Sequence, residues 1–124
     1  MNFNAPAGYA NEFINQFTQE FPEQANLVDQ SINNYGELLP HFFVADLVRF
    51  LVAKYCELKR QDENINLIKR IMEFMEHQFV SAPPLIVELI AVSFVENMPY
   101  EHEGGARIVD LLPASLKAEL ARQR

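Results

Sequence analysis

The sequence predicts an all-α fold, a single compact domain of about six or seven antiparallel helices, and three observations support this prediction. Apolar residues recur at spacings of three and four along every long segment, which is the spacing of a helix that buries one face. No segment bounded by turn residues alternates strictly between apolar and polar residues, as a half-buried strand would. The chain of 124 residues is 49% hydrophobic and 22% charged, which is typical of one globular domain with its own core.

Two helices are predicted in the first third of the chain. Three phenylalanines at four-residue steps define the buried face of the first helix: Phe13, Phe17 and Phe21. Asn11 is the predicted N-cap, and Pro22 ends this helix because a proline disfavours the helical conformation of the residue before it. A short second helix follows over residues 23–33 and ends before Gly36. Residues 1–10 are expected to be loosely ordered.

The most apolar helix is predicted over residues 41–60, after Pro40, which suits a first helical turn because its missing N–H costs nothing there. Four polar residues lie along one stripe, the side of this helix that we expect to face solvent: Asp46, Arg49, Glu57 and Arg60. Cys56 is expected to be a small buried thiol, and as the only cysteine it excludes an internal disulfide. Asp46 has three interpretations, which are an ion pair with Arg49, a hydrogen bond to a backbone group, or an exposed contact with a partner.

The second half of the chain predicts four more helices, the first of which is amphipathic over residues 64–79. Its apolar side consists of Ile65, Ile68, Met72, Met75 and Phe79. Its polar side consists of Lys69, Arg70, Glu73, Glu76 and His77. A nearly all-apolar helix over residues 85–97 is expected to be buried. After an irregular loop at 100–105, a short helix over 106–112 and a last helix from Pro113 complete the prediction.

The charge of the chain is acidic and unevenly distributed. Seventeen Asp and Glu against ten Lys and Arg give a net charge of −7, which would repel a phosphate backbone, so we expect no nucleic-acid partner. Residues 1–48 contain six acids and no Lys or Arg, a composition that either keeps a surface solvated or attracts a basic partner. The N-terminus lacks the pattern of a secretory signal, and no apolar stretch is long enough to cross a bilayer. We therefore expect a cytoplasmic protein without a membrane contact.

Few residues are arranged as catalytic or metal-binding chemistry requires. Glu73 and His77 lie one helical turn apart, but two ligands do not make a metal site and no second element of this kind completes it. Cys56 and Ser93 lie within apolar helices, and no Gly-x-Ser-x-Gly motif is present to expose a nucleophile. We therefore expect no metal, no cofactor and no enzymatic activity.

Three short motifs carry a resemblance that covers about residues 10–122. They are Leu-Pro-His-Phe-Phe-x-x-Asp at 39–46, Ser-Phe-Val-Glu-Asn-Met-Pro at 93–99 and Asp-Leu-Leu-Pro at 110–113. The chain resembles a family of small uncharacterised bacterial helical proteins, which are similar to the immunity proteins of polymorphic-toxin and contact-dependent growth-inhibition systems. The resemblance implies a cytosolic, non-enzymatic inhibitor that binds one cognate toxin domain tightly.

The acidic charge agrees with this hypothesis if the toxin is a basic, nuclease-like domain. An acidic inhibitor would associate rapidly with a phosphate-binding cleft and would block it. The predicted contacts are exposed acids together with two tyrosines in loops, because tyrosine is a frequent anchor of protein interfaces. These contacts are Glu20, Glu23, Asp29, Tyr35, Glu37, Glu96, Tyr100, Glu101 and Glu103.

Three other functions stay open at this point. A small acidic chaperone for a secreted protein would expose an apolar patch of roughly several hundred Å². An enzyme would require an enclosed pocket with paired titratable groups. A homodimer could form through the apolar surface of residues 3–21.

Overall fold

The computed structural model describes residues 4–57 and 64–124, with side chains from residue 11 onward, and these residues contain helices and no strand. The α-helices of this part of the chain are α1 (Asn4–Glu20), α2 (Ala25–Tyr35), α3 (Pro40–Cys56), α4 (Asn64–Ser81), α5 (Pro84–Leu89) and α6 (Ala114–Gln123). Pro22–Gln24 and Ala106–Leu111 form 3₁₀ helices, and Ile90–Val95 continues α5 as a π-helix. The prediction of one compact all-α domain is confirmed, while the antiparallel arrangement of neighbouring helices stays a prediction.

Two helix boundaries differ from the predicted ones by more than two residues. Helix α1 begins at Asn4, seven residues before the predicted cap at Asn11, because the only proline of this stretch, Pro6, falls in the first turn, where no N–H is needed. Helix α3 ends at Cys56, and its predicted last residues, 58–60, lie outside the described residues. The loose order expected at 1–10 stays a prediction, since residues 1–3 and the side chains of 4–10 are not among those described.

An aromatic cluster joins α1 to α3 and α4. Phe17 is fully buried, and its ring centroid lies 5.7 Å from that of Phe43 and 5.8 Å from that of Phe74, both in edge-to-face geometry. Phe21 also contacts Phe74 edge to face, at 5.7 Å. The four-residue spacing of these phenylalanines thus predicts the buried face correctly.

Helix α6 is attached through its first turn to α4. The carboxylate of Glu76 accepts hydrogen bonds from the backbone amides of Ser115 and Leu116, at 3.0 Å each. These amides have no partner within the helix, and the negative charge also interacts favourably with the helix dipole. The sequence placed Glu76 on the polar side of α4, and its contact with α6 was not predicted.

The described helices were also compared with the length and hydropathy that a transmembrane segment needs. Among residues 4–57 and 64–124, no helix is both long and apolar enough to span a membrane.

Candidate functional site

The nine predicted contact residues are all exposed, but they lie in three separate places. One group lies at the end of α1 and in the 3₁₀ helix after it, a second lies on α2 and in the turn before α3, and a third lies between the π-helix and Ala106–Leu111. The geometry of each group determines how well it suits a basic partner.

The first group, Glu20 and Glu23, lies beside basic residues of α4. Glu23 Oε2 is 3.6 Å from Nη1 of Arg70, whose guanidinium also lies over the ring of Phe21 at 5.1 Å from the centroid. Glu20 lines a shallow groove together with Lys69 and Arg70. Because these cations reduce the local negative potential, this group is the least suited of the three to a basic partner.

The second group belongs to a surface that we name the α2–α3 face. It consists of Asp29, Ile32, Tyr35, Glu37, Phe42 and Asp46. The first three of these residues follow one another at steps of three along α2, so they share one side of the helix, and all three are exposed. Gly36 ends α2 with a left-handed backbone (φ +81°), which turns the chain toward α3.

Contacts between the two helices hold the aromatic part of the α2–α3 face. The rings of Tyr35 and Phe42 are in contact, with centroids 4.8 Å apart. The Tyr35 hydroxyl donates a hydrogen bond to Asp46 Oδ1 at 3.4 Å, and Arg49 forms an ion pair with the same carboxylate oxygen. Of the three interpretations of Asp46, the structure therefore shows the ion pair with Arg49, to which it adds the bond to Tyr35.

The third group lies in a stretch that we name the 96–105 segment. Backbone N–H of Tyr100 donates to Glu103 Oε1 at 2.6 Å, and the guanidinium of Arg124 lies 3.7 Å from the centroid of the Tyr100 ring. Arg124 also donates to the carbonyls of Met98 and Pro99, the latter at 3.1 Å. One face of Tyr100 is thus already covered by a cation of the same chain.

The 96–105 segment packs closely against the end of α3. Gly105 has φ +75°, and a Cβ placed on it would lie 2.9 Å from Val52 Cγ1 and 3.1 Å from Cys56 Sγ. An open groove of about 920 Å³ runs between Tyr55 and Tyr100 beside this contact. Cys56 is exposed here, so the prediction of a buried thiol was wrong, because α3 ends at this residue and leaves it at the surface.

The end of α6 completes the attachment of the 96–105 segment. The side-chain amide of Gln123 donates to the carbonyl of Ala91 in the π-helix at 3.0 Å and to Glu119 Oε2 at 2.9 Å. Hydrogen bonds from Arg122, at 2.5 and 3.0 Å, and from Gln123 lower the pKa of Glu119 below its ordinary value.

The second and third groups do not form one continuous patch. Phe42 and Tyr55 lie at opposite ends of α3, thirteen positions apart, which is about 20 Å along the helix axis at 1.5 Å per residue. A partner that uses both groups would have to cover this length of the domain.

Ser93, one of the residues considered for chemistry, makes a structural contact. Ser93 is 4% exposed, and its Oγ lies 2.5 Å from Nδ1 of His41, which joins the π-helix to the start of α3. Ser93 is therefore embedded as predicted, but its partner His41 was not foreseen. Within the described ranges, no three His, Cys, Asp or Glu side chains, Glu73 and His77 included, converge as a metal site would require.

Most cations of the described chain are already paired with acids. Five of its eight Lys and Arg residues form one ion pair each: Arg49 with Asp46, Lys54 with Glu57, Arg70 with Glu23, Arg107 with Asp110, and Arg122 with Glu119. Ten described acids have no such partner, and they include Asp29, Glu37, Glu96 and Glu101. Among the described residues, the net negative charge is therefore carried by carboxylates that form no ion pair.

Comparison with known proteins identifies a family. The chain was compared with curated proteins and with solved structures, and neither comparison found a match. A family model does match residues 14–124, which is most of the chain. That family is described as "Domain of unknown function (DUF7674)", and the chain belongs to it.

Proposed function

We propose that this protein is a non-enzymatic inhibitor that binds a basic toxin domain in the bacterial cytoplasm, as immunity proteins do. The observation that supports the proposal best is the set of exposed carboxylates that form no ion pair with another described residue, among them Asp29, Glu37, Glu96 and Glu101. Such groups are free to pair with cations of a partner and do not have to break internal ion pairs first.

The charge also gives the inhibitor a physical mechanism. A surface with an excess of carboxylates raises the rate of encounter with a basic cleft, and the effect decreases as salt screens the charges. Once bound, the carboxylates occupy the positions at which the cleft would hold phosphate groups. Inhibition then needs no chemical step on the part of this chain.

A protection assay tests the proposal. A toxin domain encoded by the neighbouring gene is expressed in bacteria with and without this chain. We expect the cells that express the toxin domain to grow only when the chain is also present. Purified components should then associate faster at low salt than at high salt. A double variant, Asp29→Lys with Glu37→Lys, should slow association, while Glu88→Lys, which reverses an exposed acid outside the predicted contacts, serves as the matched control.

Two results would contradict the proposal. One is cell death in the presence of both proteins although the chain is folded and abundant. The other is an association rate that does not change with salt or with the charge reversals. In the second case inhibition would not depend on the acidic surface.

One observation favours a second function, a chaperone for a secreted protein. Tyr35 and Phe42 are in contact with each other and exposed, and Ile32 adds to the same apolar area. An extended client could bind there through apolar side chains. Binding of an unfolded client, but not of a folded basic domain, would distinguish the chaperone from the inhibitor.

A further inference from the structure

The proposed function leaves open which of the exposed surfaces the partner covers. We propose that the partner docks on the α2–α3 face, with Phe42 as the central anchor, and that it presents an apolar side chain flanked by Lys or Arg. This inference depends on the proposed function only for the expectation that the partner is basic. It adds Ile32 and Phe42, which the sequence did not indicate, to the candidate contacts.

Apolar exposure is the first argument for the α2–α3 face. Phe42 is 49% exposed, Ile32 37% and Tyr35 36%, and the three side chains are adjacent. Leaving such surface in water loses the stabilisation of about 25 cal/mol for each Å² that burial would provide. Aromatic residues clustered in this way are the usual anchors of protein interfaces.

Charge is the second argument, and it determines the kind of partner. The two exposed acids of this face that have no ion partner, Asp29 and Glu37, lie on either side of the Ile32–Tyr35 stripe along the chain. Asp46 is neutralised by Arg49, and residues 1–48 contain no Lys or Arg. A basic segment is attracted to this arrangement. A second copy of the chain would place like charges opposite each other, which disfavours a homodimer through this face.

Rigidity is the third argument. The Tyr35 ring is held from one side by Phe42, and its hydroxyl is bonded to Asp46, so its orientation is set before any partner arrives. Gly36 fixes the turn that brings α2 against α3. Binding to a surface that is already ordered loses less conformational entropy than binding to a mobile one.

Nuclear magnetic resonance can locate the docking surface with a defined probe. The ¹⁵N-labelled full chain is titrated with a synthetic amphipathic peptide of Leu and Lys, and separately with a Leu and Glu peptide of the same length. We expect amide shifts concentrated over residues 29–46 with the Lys peptide and none with the Glu peptide. Phe42→Ala should weaken binding of the Lys peptide about tenfold.

Matched variants separate docking from folding. Val80→Ala removes apolar surface from a residue of α4 that is 60% exposed, and it should leave binding unchanged. If Phe42→Ala lowers the melting temperature, Ile32→Ser tests the same face from α2, where it should weaken binding several-fold. Both variants are compared with the unaltered chain by thermal unfolding.

Three outcomes would overturn the inference. They are shifts that are strongest in the 96–105 segment, shifts spread evenly over all exposed acids, and equal binding by the Phe42→Ala, Ile32→Ser and Val80→Ala variants. A concentration-dependent self-association that Phe42→Ala abolishes would also overturn it, in favour of a homodimer. Since the peptide is not a toxin, failure here leaves the protection assay to decide the function.

Discussion

The α2–α3 face and the 96–105 segment both present an exposed tyrosine among carboxylates, but they differ in how far the chain satisfies these groups itself. Tyr100 lies under the guanidinium of Arg124, and its backbone N–H is bonded to Glu103. Tyr35 contacts another aromatic ring, and no cation of the described chain lies over it. The contacts of Tyr100 are thus made within the chain, whereas Tyr35 and its neighbours leave an apolar surface that a partner can cover.

The difference shows that exposure alone is a weak indicator of binding. Tyr100 is 51% exposed and Phe42 49%, so the two cannot be distinguished by exposure. They are distinguished by their contacts, because a partner cation would have to compete with Arg124 at the Tyr100 ring, whereas the Phe42 ring contacts the ring of Tyr35. Variants that loosen one region and leave the other unchanged would test this comparison.

Each region contains a glycine with positive φ, and substitution of these two glycines should give the largest difference in stability between the regions. Gly105→Ala is expected to lower the free energy of unfolding by about 2–3 kcal/mol, because left-handed backbone strain adds to a close approach of the new Cβ to Val52. Gly36→Ala should lower it by only about 1 kcal/mol, since the added Cβ would meet no described atom within 4 Å beyond Gly36 and its two neighbours in the chain. Urea unfolding followed by circular dichroism measures both values. Equal decreases in the free energy of unfolding would show that the packing of the 96–105 segment on α3 contributes little to stability.

Removal of the Glu76 carboxylate should have an intermediate effect that spreads from α6. Glu76→Ala leaves the amides of Ser115 and Leu116 without their acceptor, which we expect to cost about 1–2 kcal/mol. Hydrogen exchange should become faster in α6 and in the 96–105 segment that Gln123 and Arg124 hold, but not in α2. Glu73→Ala, an exposed acid of the same helix, is the control. Faster exchange in α2 as well would mean that the two regions unfold together.

The sequence predicts what depends on local spacing. The four-residue steps of Phe13, Phe17 and Phe21 indicate a buried helical face, and these three residues are buried. Seven of the nine proposed contacts are acids, which are mostly exposed in any fold, but of the two tyrosines predicted in loops only Tyr100 lies in one, because Tyr35 is the last residue of α2.

Contacts between distant segments were not predictable in the same way. Phe42 lies in an apolar run of which only the polar stripe was expected to face solvent, yet it is half exposed, because no described helix covers the start of α3 on that side. Glu76 binds amides 39 and 40 residues away, and nothing in the spacing along α4 distinguishes it from Glu73. Both facts depend on which helices meet, and the period of one helix contains no information about this.

The smallest expected effect concerns the pH dependence of the hydrogen bonds that Glu119 accepts from Arg122 and Gln123 at the end of α6. The pKa of Glu119 is lowered mainly by the hydrogen bond from Arg122, and further by that from Gln123. A carboxyl group whose pKa is lower in the folded state than in the unfolded state stabilises the folded state at pH values above the unfolded pKa, which is 4.5 here. This stabilisation is lost as the pH falls through the lower pKa of the folded state. Arg122 stays charged throughout, because the same contact raises its pKa.

Glu119→Gln therefore tests whether these hydrogen bonds stabilise only the 96–105 segment. The unaltered chain should be slightly more stable than the variant near neutral pH, and the difference should decrease progressively as the pH falls below about 4.5, as thermal unfolding at a series of pH values would show. Glu101→Gln, which changes an exposed acid without an ion partner, should follow the unaltered chain more closely. Because Gln123 joins Glu119 to Ala91, the variant should alter amide signals near the π-helix and leave those of Tyr35 and Phe42 in place. Shifts at Tyr35 would show that the 96–105 segment and the α2–α3 face are coupled through α3. The two regions could then no longer be treated as independent surfaces, one with its contacts made within the chain and one available to a partner.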